Sequence, residues 1–250
     1  GLGDVYKRQM ETLTPQDFLS FRDRLGTSSG FESWQLRQIE IILGLEQQQR
    51  DAGMDPLDHM NKLANEGKIS SQILADFSAI IQSPSLYQLL KKWLSRTPVN
   101  GSFSGDDEDE VIISSYVDSH LSAMKAHSEM VISHFESIGH GDESTLRGRL
   151  DKSVMSAEEF LRPHGVVDRS RVGLLFIESY RELPLLSWPR VLIDSFVEME
   201  ESILLFRNSH ARMVERMIGR RMGTGGSSGV DYLDATLKYR IFVDLWTVRT

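Results

Sequence analysis

From Thr14 onward the apolar positions recur at three- and four-residue steps almost everywhere, and no convincing two-residue alternation appears. Thr14-Pro15-Gln16-Asp17 reads as a helix start, with Thr14 as N-cap and Pro15 where a missing N–H does no harm. Phe18, Phe21, Arg22 and Leu25 then share one face. After a loop from Gly26 to Gly30, a second helix is expected to carry Phe31, Trp34, Ile39, Ile42 and Leu43 on its apolar side. Further amphipathic helices are predicted near Pro56 to Glu66, Ile69 to Gln82 and Pro84 to Arg96. Residues Pro98 to Glu110, with the acidic run from Asp106, read as a solvated loop leading into the first turn of a helix. In that helix Val117, Leu121, Met124, Val131, Phe135 and Ile138 trace an approximate heptad. Beyond a glycine-rich break, Arg169 to Arg181 and Pro189 to Gly219 read as two more helices, the second a long spine apolar on one broad face. Tyr232 to Trp246 form a final amphipathic segment. The fold class expected is all-α.

The first nine residues, GLGDVYKRQ, show no periodicity and read as a non-native leader; the chain stops at Trp246 to Thr250 within an apolar pattern. The expectation is therefore one helical domain, residues 10–250, incomplete at both ends. Composition narrows the chemistry. The chain has 250 residues, 40% of them hydrophobic and 26% charged, as in ordinary globular proteins. A formal charge of -8 argues against a nucleic-acid partner, since phosphates reward a basic footprint. The absence of cysteine excludes disulfides, iron–sulfur clusters, thiolate-bound haem and cysteine nucleophiles. No apolar run suggests a membrane span and no signal peptide is read, so a cytoplasmic location is expected.

Histidines are the remaining ligand candidates. His120, His127 and His134 are spaced by seven, which on a helix separates successive members by about 10.5 Å, too far to share one metal. They read as a polar border beside a packing face. His210 differs: in the order Phe206, His210, Met213, Met217 it stands in the middle of an apolar face. A satisfied core histidine and the proximal ligand of a haem both fit that setting. Downstream, Gly223-Thr224-Gly225-Gly226-Ser227-Ser228-Gly229 cannot be helical; it is either a linker or a loop that lets backbone approach a ligand closely. It lacks the Lys-Ser/Thr pair of a phosphate loop.

The stretch His210-Ala-Arg-Met-Val-Glu-Arg-Met-Ile-Gly219, the loop Gly223 to Gly229 and Tyr232-Leu233 together resemble the C-terminal signature of the tryptophan 2,3-dioxygenase family. Met10 to Thr14, Asp17-Phe18, Phe21-Arg22, Leu25 to Phe31, Gln35, Arg37 and Glu40 resemble its early motif. The resemblance runs from about Met10 to the end and is weakest between Gln47 and Val166. It implies an all-α haem-dioxygenase fold of the indoleamine/tryptophan dioxygenase kind, a haem b cofactor and a homotetramer. It also implies insertion of both atoms of O2 across the indole C2–C3 bond of L-tryptophan, giving N-formyl-L-kynurenine, the first step of the kynurenine pathway.

The resemblance makes His210 the axial ligand of the haem iron. It makes Arg22 the fork that grips the substrate carboxylate and Phe18 an aromatic beside the indole. Leu25 lines the pocket, Ser29 approaches haem and substrate, Gly223 lies against the haem, and Thr224 binds the amino-acid end of tryptophan. Family members carry upstream a segment with a distal histidine and aromatics around Tyr-Glu-Leu-Trp-Phe. Residues 1 to 20 do not match it, so the distal wall is expected to be missing and no catalytic acid or base is assigned. The rival readings are a haem-free helical scaffold or binding module, and a haem oxygenase of the same fold acting on another indole or a phenol.

Overall fold

The computed structural model describes residues 12–24, 34–45, 55, 57–67, 69–138, 142–219 and 229–249. Among these the regular structure is helical, interrupted only by an isolated bridge between Val99 and Ser102. The helices are α1 (Pro15–Arg24), α2 (Trp34–Leu43), α3 (Asp58–Asn65), α4 (Ser71–Gln82), α5 (Leu86–Leu94), α6 (Asp109–Ile138), α7 (Glu143–Leu161), α8 (Arg169–Ser179), α9 (Ser187–Ile218), α10 (Gly229–Thr236) and α11 (Val243–Thr247), with single 3₁₀ turns at Pro163–Gly165 and Pro184–Leu186. The expected all-α class holds. No described helix is long and apolar enough to cross a membrane.

The chain forms two compact units. The first comprises Gly1–Tyr87 and Phe196–Ile241, the second Gln88–Ser195 and Phe242–Thr250. In the first, Ile41 of α2, Met60 of α3, Ile69 just before α4 and Phe77 within it form one buried cluster. Phe18 of α1, Met213, Val214 and Met217 of α9 and Val230 of α10 form another. In the second unit Val99, Tyr116, Val117, Leu121, Leu161, Val172 and Leu175 build the core. There α6 and α7 run antiparallel: Arg147 reaches Glu129 at 3.3 Å near one end, and Arg162 reaches Asp118 at 2.8 Å near the other.

Local chemistry explains several boundaries. Thr14 Oγ1 accepts from the Asp17 N–H at 3.1 Å, as its N-cap position predicts. Asp142 caps α7 by accepting from the Ser144 N–H, and hydrogen bonds from Thr145 and Ser144 hold its carboxyl down to about 2. Gly219 closes α9 at φ 63°, a left-handed geometry that glycine adopts without a Cβ penalty.

The structure corrects four expectations. On α2 the buried residues are Ile41 and Leu43, whereas Ile39 and Ile42 are each 50% exposed. Apolar residues nearly encircle this helix, so periodicity selects no face and contact with α4 decides it. The 19-residue α7 lies where no helix was expected; its charged residues hide the stripe of Leu146, Leu150, Val154 and Leu161. The segment from Tyr232 to Trp246 is not one element: α10 and α11 are separated by fully buried Ile241 and Phe242. Finally, Asp109 of the acidic run is buried, taking hydrogen bonds from Ser102 and from Arg169 at 2.9 Å. Ile132, 2% exposed, also belongs to the inner side of α6, which the heptad reading omitted.

Candidate functional site

The candidate site lies in the first unit, on the C-terminal half of α9. Steps of three and four residues put Phe206, His210, Met213, Val214 and Met217 on one side of that helix. His210 is half-buried, and its ring stacks on Phe206, with centroids 6.1 Å apart and planes 3° apart. One and two turns on, Met213, Val214 and Met217 are buried against Phe18. Phe18 is only 3% exposed. The two motifs that the sequence places almost 200 positions apart thus meet: the Phe18 of α1 packs on the same helical side that carries His210. Arg22 lies in α1 one helical turn beyond Phe18.

Helix α10 closes the cluster through Val230, with Leu233 packed at its edge. Residues 220–228, between the ends of α9 and α10, include Gly223 and Thr224; these two, like Leu25 and Ser29, lie outside the described residues. Arg212 of α9 is paired with Asp234 of α10 and with Glu215, tying the two helices that flank that segment.

Charged groups buried along α9 fix its position, and the sequence reading passed over them. Arg207, one turn before His210 and 5% exposed, donates to Glu40 Oε1 of α2 at 2.7 Å and to the Tyr239 carbonyl at 3.1 Å. Glu200, 1% exposed, accepts from the Ile241 N–H. The available signal was register: Glu200 and Arg207 lie at seven-residue steps before buried Val214, on its side of the helix, where charged groups are buried only when paired. Glu40, noted in the sequence only as part of a motif, is the partner that lets Arg207 be buried.

As a donor set, this side offers a single imidazole. Among the described residues no three His, Asp or Glu side chains converge as a metal site. One imidazole on a wall of Phe206, Met213 and Met217 fits a macrocycle that brings its own four equatorial nitrogens and needs apolar packing. Of the other histidines, His127 and His134 are exposed, as a polar border would be. His120 is half-buried, and burial lowers its pKa.

The family described as tryptophan 2,3-dioxygenase matches residues 6–250. Tryptophan 2,3-dioxygenase 2 of Ralstonia nicotianae is 43% identical over 97% of this chain and 68% of its own length. Tryptophan 2,3-dioxygenase of Sorangium cellulosum is also 43% identical, over 97% of this chain and 61% of its own. A tryptophan 2,3-dioxygenase-like protein of Xanthomonas campestris is 41% identical, over 95% and 91% respectively.

Proposed function

The chain belongs to the tryptophan 2,3-dioxygenase family, and from that premise we propose that it is a haem-dependent dioxygenase converting L-tryptophan and O2 to N-formyl-L-kynurenine. The observation that carries this reading is the packing of Phe18 against Met213, Val214 and Met217, which joins the early motif to the helix of His210.

In this reading residues 10–250 work as one catalytic domain, and His210 holds haem b by its imidazole. When bound, the haem supplies the dioxygen chemistry that no side chain can perform. The protein's share is position. Phe206 stacks on the imidazole, buried Met213 and Met217 continue its side of the helix, and Arg207 anchored on Glu40 fixes the helix one turn before it. Arg22 takes the substrate carboxylate in the two-pronged geometry that a guanidinium suits. Thr224 binds the ammonium and carboxylate end, while Leu25 and Phe18 enclose the indole. Ser29 contacts haem and substrate, and Gly223 contacts the haem. The same reading makes the protein a cytoplasmic homotetramer, without nucleic-acid or membrane partners; its charge of -8 favours neither phosphate-rich surface.

The test is an absorption titration of the purified protein with haemin, oxidised and reduced, beside His210→Ala. A stoichiometric histidine-ligated spectrum lost in the variant is expected. With L-tryptophan, Arg22→Ala is expected to raise KM more than it lowers kcat. The same weak, nonspecific spectrum from both proteins would favour a haem-free scaffold. Turnover of another indole or a phenol in preference to tryptophan would favour an oxygenase of different specificity.

A further inference from the structure

The second unit contains a cavity of about 340 Å³ between α6, α7, α8 and the turn that ends α11. Its floor is apolar: Phe160 is half-buried, Leu161 is 1% exposed and Leu175 8%. Phe160 is held in place because the Arg171 guanidinium lies 5.0 Å over its ring and donates to its carbonyl at 3.0 Å. Its polar lining has one sign. His120 of α6 and Arg149 and Lys152 of α7 line the cavity, and no carboxylate does. This is a local reversal in a chain of net charge -8.

Arg149 and Lys152 are three apart on α7 and therefore neighbours on its surface, where like charges repel. Arg147, two positions earlier, is answered by Glu129 and Glu143, at 3.3 and 3.6 Å. Among the described residues no carboxylate pairs with Arg149 or Lys152. Ser153 adds a hydroxyl to the same lining. Two unanswered cations and a hydroxyl above a fixed apolar floor are complementary to an anion with an apolar body. The volume lies near the lower end of the roughly 300–1,000 Å³ of small-molecule sites, which suits one ring and a short arm.

We propose that this cavity binds a small organic carboxylate with an apolar body the size of one aromatic ring, its carboxylate held by Arg149 and Lys152 and its ring laid on Phe160, Leu161 and Leu175. His120 is the reporter of occupancy. Burial favours its neutral form in the free protein, and a carboxylate bound nearby raises its pKa. The charged groups that share the lining with it are Arg149 and Lys152 from α7; α8 and α11 contribute Leu175, Thr247 and Val248.

The probe is 3-phenylpropionate, titrated calorimetrically into the whole chain. One saturable site is expected, weakened at least about tenfold in Arg149→Gln/Lys152→Gln and for the uncharged 3-phenylpropanamide, since each lost charge-assisted hydrogen bond counts for a factor of this order. Both replaced side chains are exposed, so the variant keeps its fold, which circular dichroism checks. Arg22 is itself expected to hold a carboxylate, so the titration is repeated in Arg22→Ala, where binding should persist. By proton NMR the His120 imidazole should titrate at higher pH with the probe bound. No saturable binding, undiminished binding by the double variant or of the amide, loss in Arg22→Ala, or equally tight binding of inorganic phosphate would each overturn the proposal.

Discussion

Gly173 shows how one residue can reverse a local preference. It lies inside α8, where alanine is the better helix former by roughly 1 kcal/mol. A Cβ there would meet the Leu94 carbonyl oxygen at 2.3 Å and the Thr97 Cβ at 3.1 Å. Gly173→Ala should therefore destabilise the protein by roughly 1–3 kcal/mol, the usual range for overpacking, as read from urea unfolding. An unchanged or raised midpoint would show that α5 gives way. Arg207 carries a second residue-scale prediction. Replacing it with Met takes from the Glu40 carboxylate, 13% exposed, the nearer of its two cations and leaves Arg37 at 3.5 Å, so the loss should lie toward the lower end of the roughly 3–5 kcal/mol that breaking a buried pair costs. The Arg207→Met/Glu40→Gln double variant should be less destabilised than the sum of the singles; additivity would mean that the pair is not coupled. The sequence shows these groups without their partners. Arg207 and Glu40 are 167 positions apart, so only the fold reveals that one answers the other.

At the scale of elements, a charge network joins α5, α8 and α11. Asp168 caps α8, accepting from the Ser170 and Arg171 N–H groups. Lys91 lies 3.3 Å from Asp168 and 3.9 Å from Asp244, and Arg171 reaches Asp244 at 3.1 Å. Burial raises the Asp168 pKa, but the Ser170 hydroxyl, the Lys91 charge and the Arg171 N–H outweigh it, and the net direction is down. A carboxyl whose folded pKa is depressed contributes stability above its unfolded value of about 3.9, lost as pH falls through the folded value. Lys91→Met should therefore lower the thermal midpoint at neutral pH, and the gap to the native chain should narrow as pH drops below about 4. A gap that stayed constant into acid would assign the loss to the lysine's apolar stem. Elements with a single clean stripe, such as α4 and α9, were legible in the sequence. α2 was misread because apolar residues surround it, and α7 was missed because charges interrupt its stripe. In both, the partner helix chooses the face, and no local pattern carries that information.

For the molecule as a whole, the candidate site was legible because two local motifs survive intact, around Phe18 and around His210. What the sequence could not supply was their contact, which the cluster of Phe18 with Met213, Val214 and Met217 provides. Each compact unit has its own core and its own candidate ligand: His210 in the first, the basic cavity in the second. A ligand suppresses mainly those openings that break its own site, by about 2.7 kcal/mol when present at a hundredfold over its Kd. Haemin should therefore slow amide exchange in the C-terminal half of α9 and in α1, and leave α6 and α7 near their free rates. 3-Phenylpropionate should do the reverse. Protection of all four helices by either compound would show that the units open together. Exchange in α9 insensitive to haemin, in a protein that shows the histidine-ligated spectrum, would place the iron on a histidine other than His210.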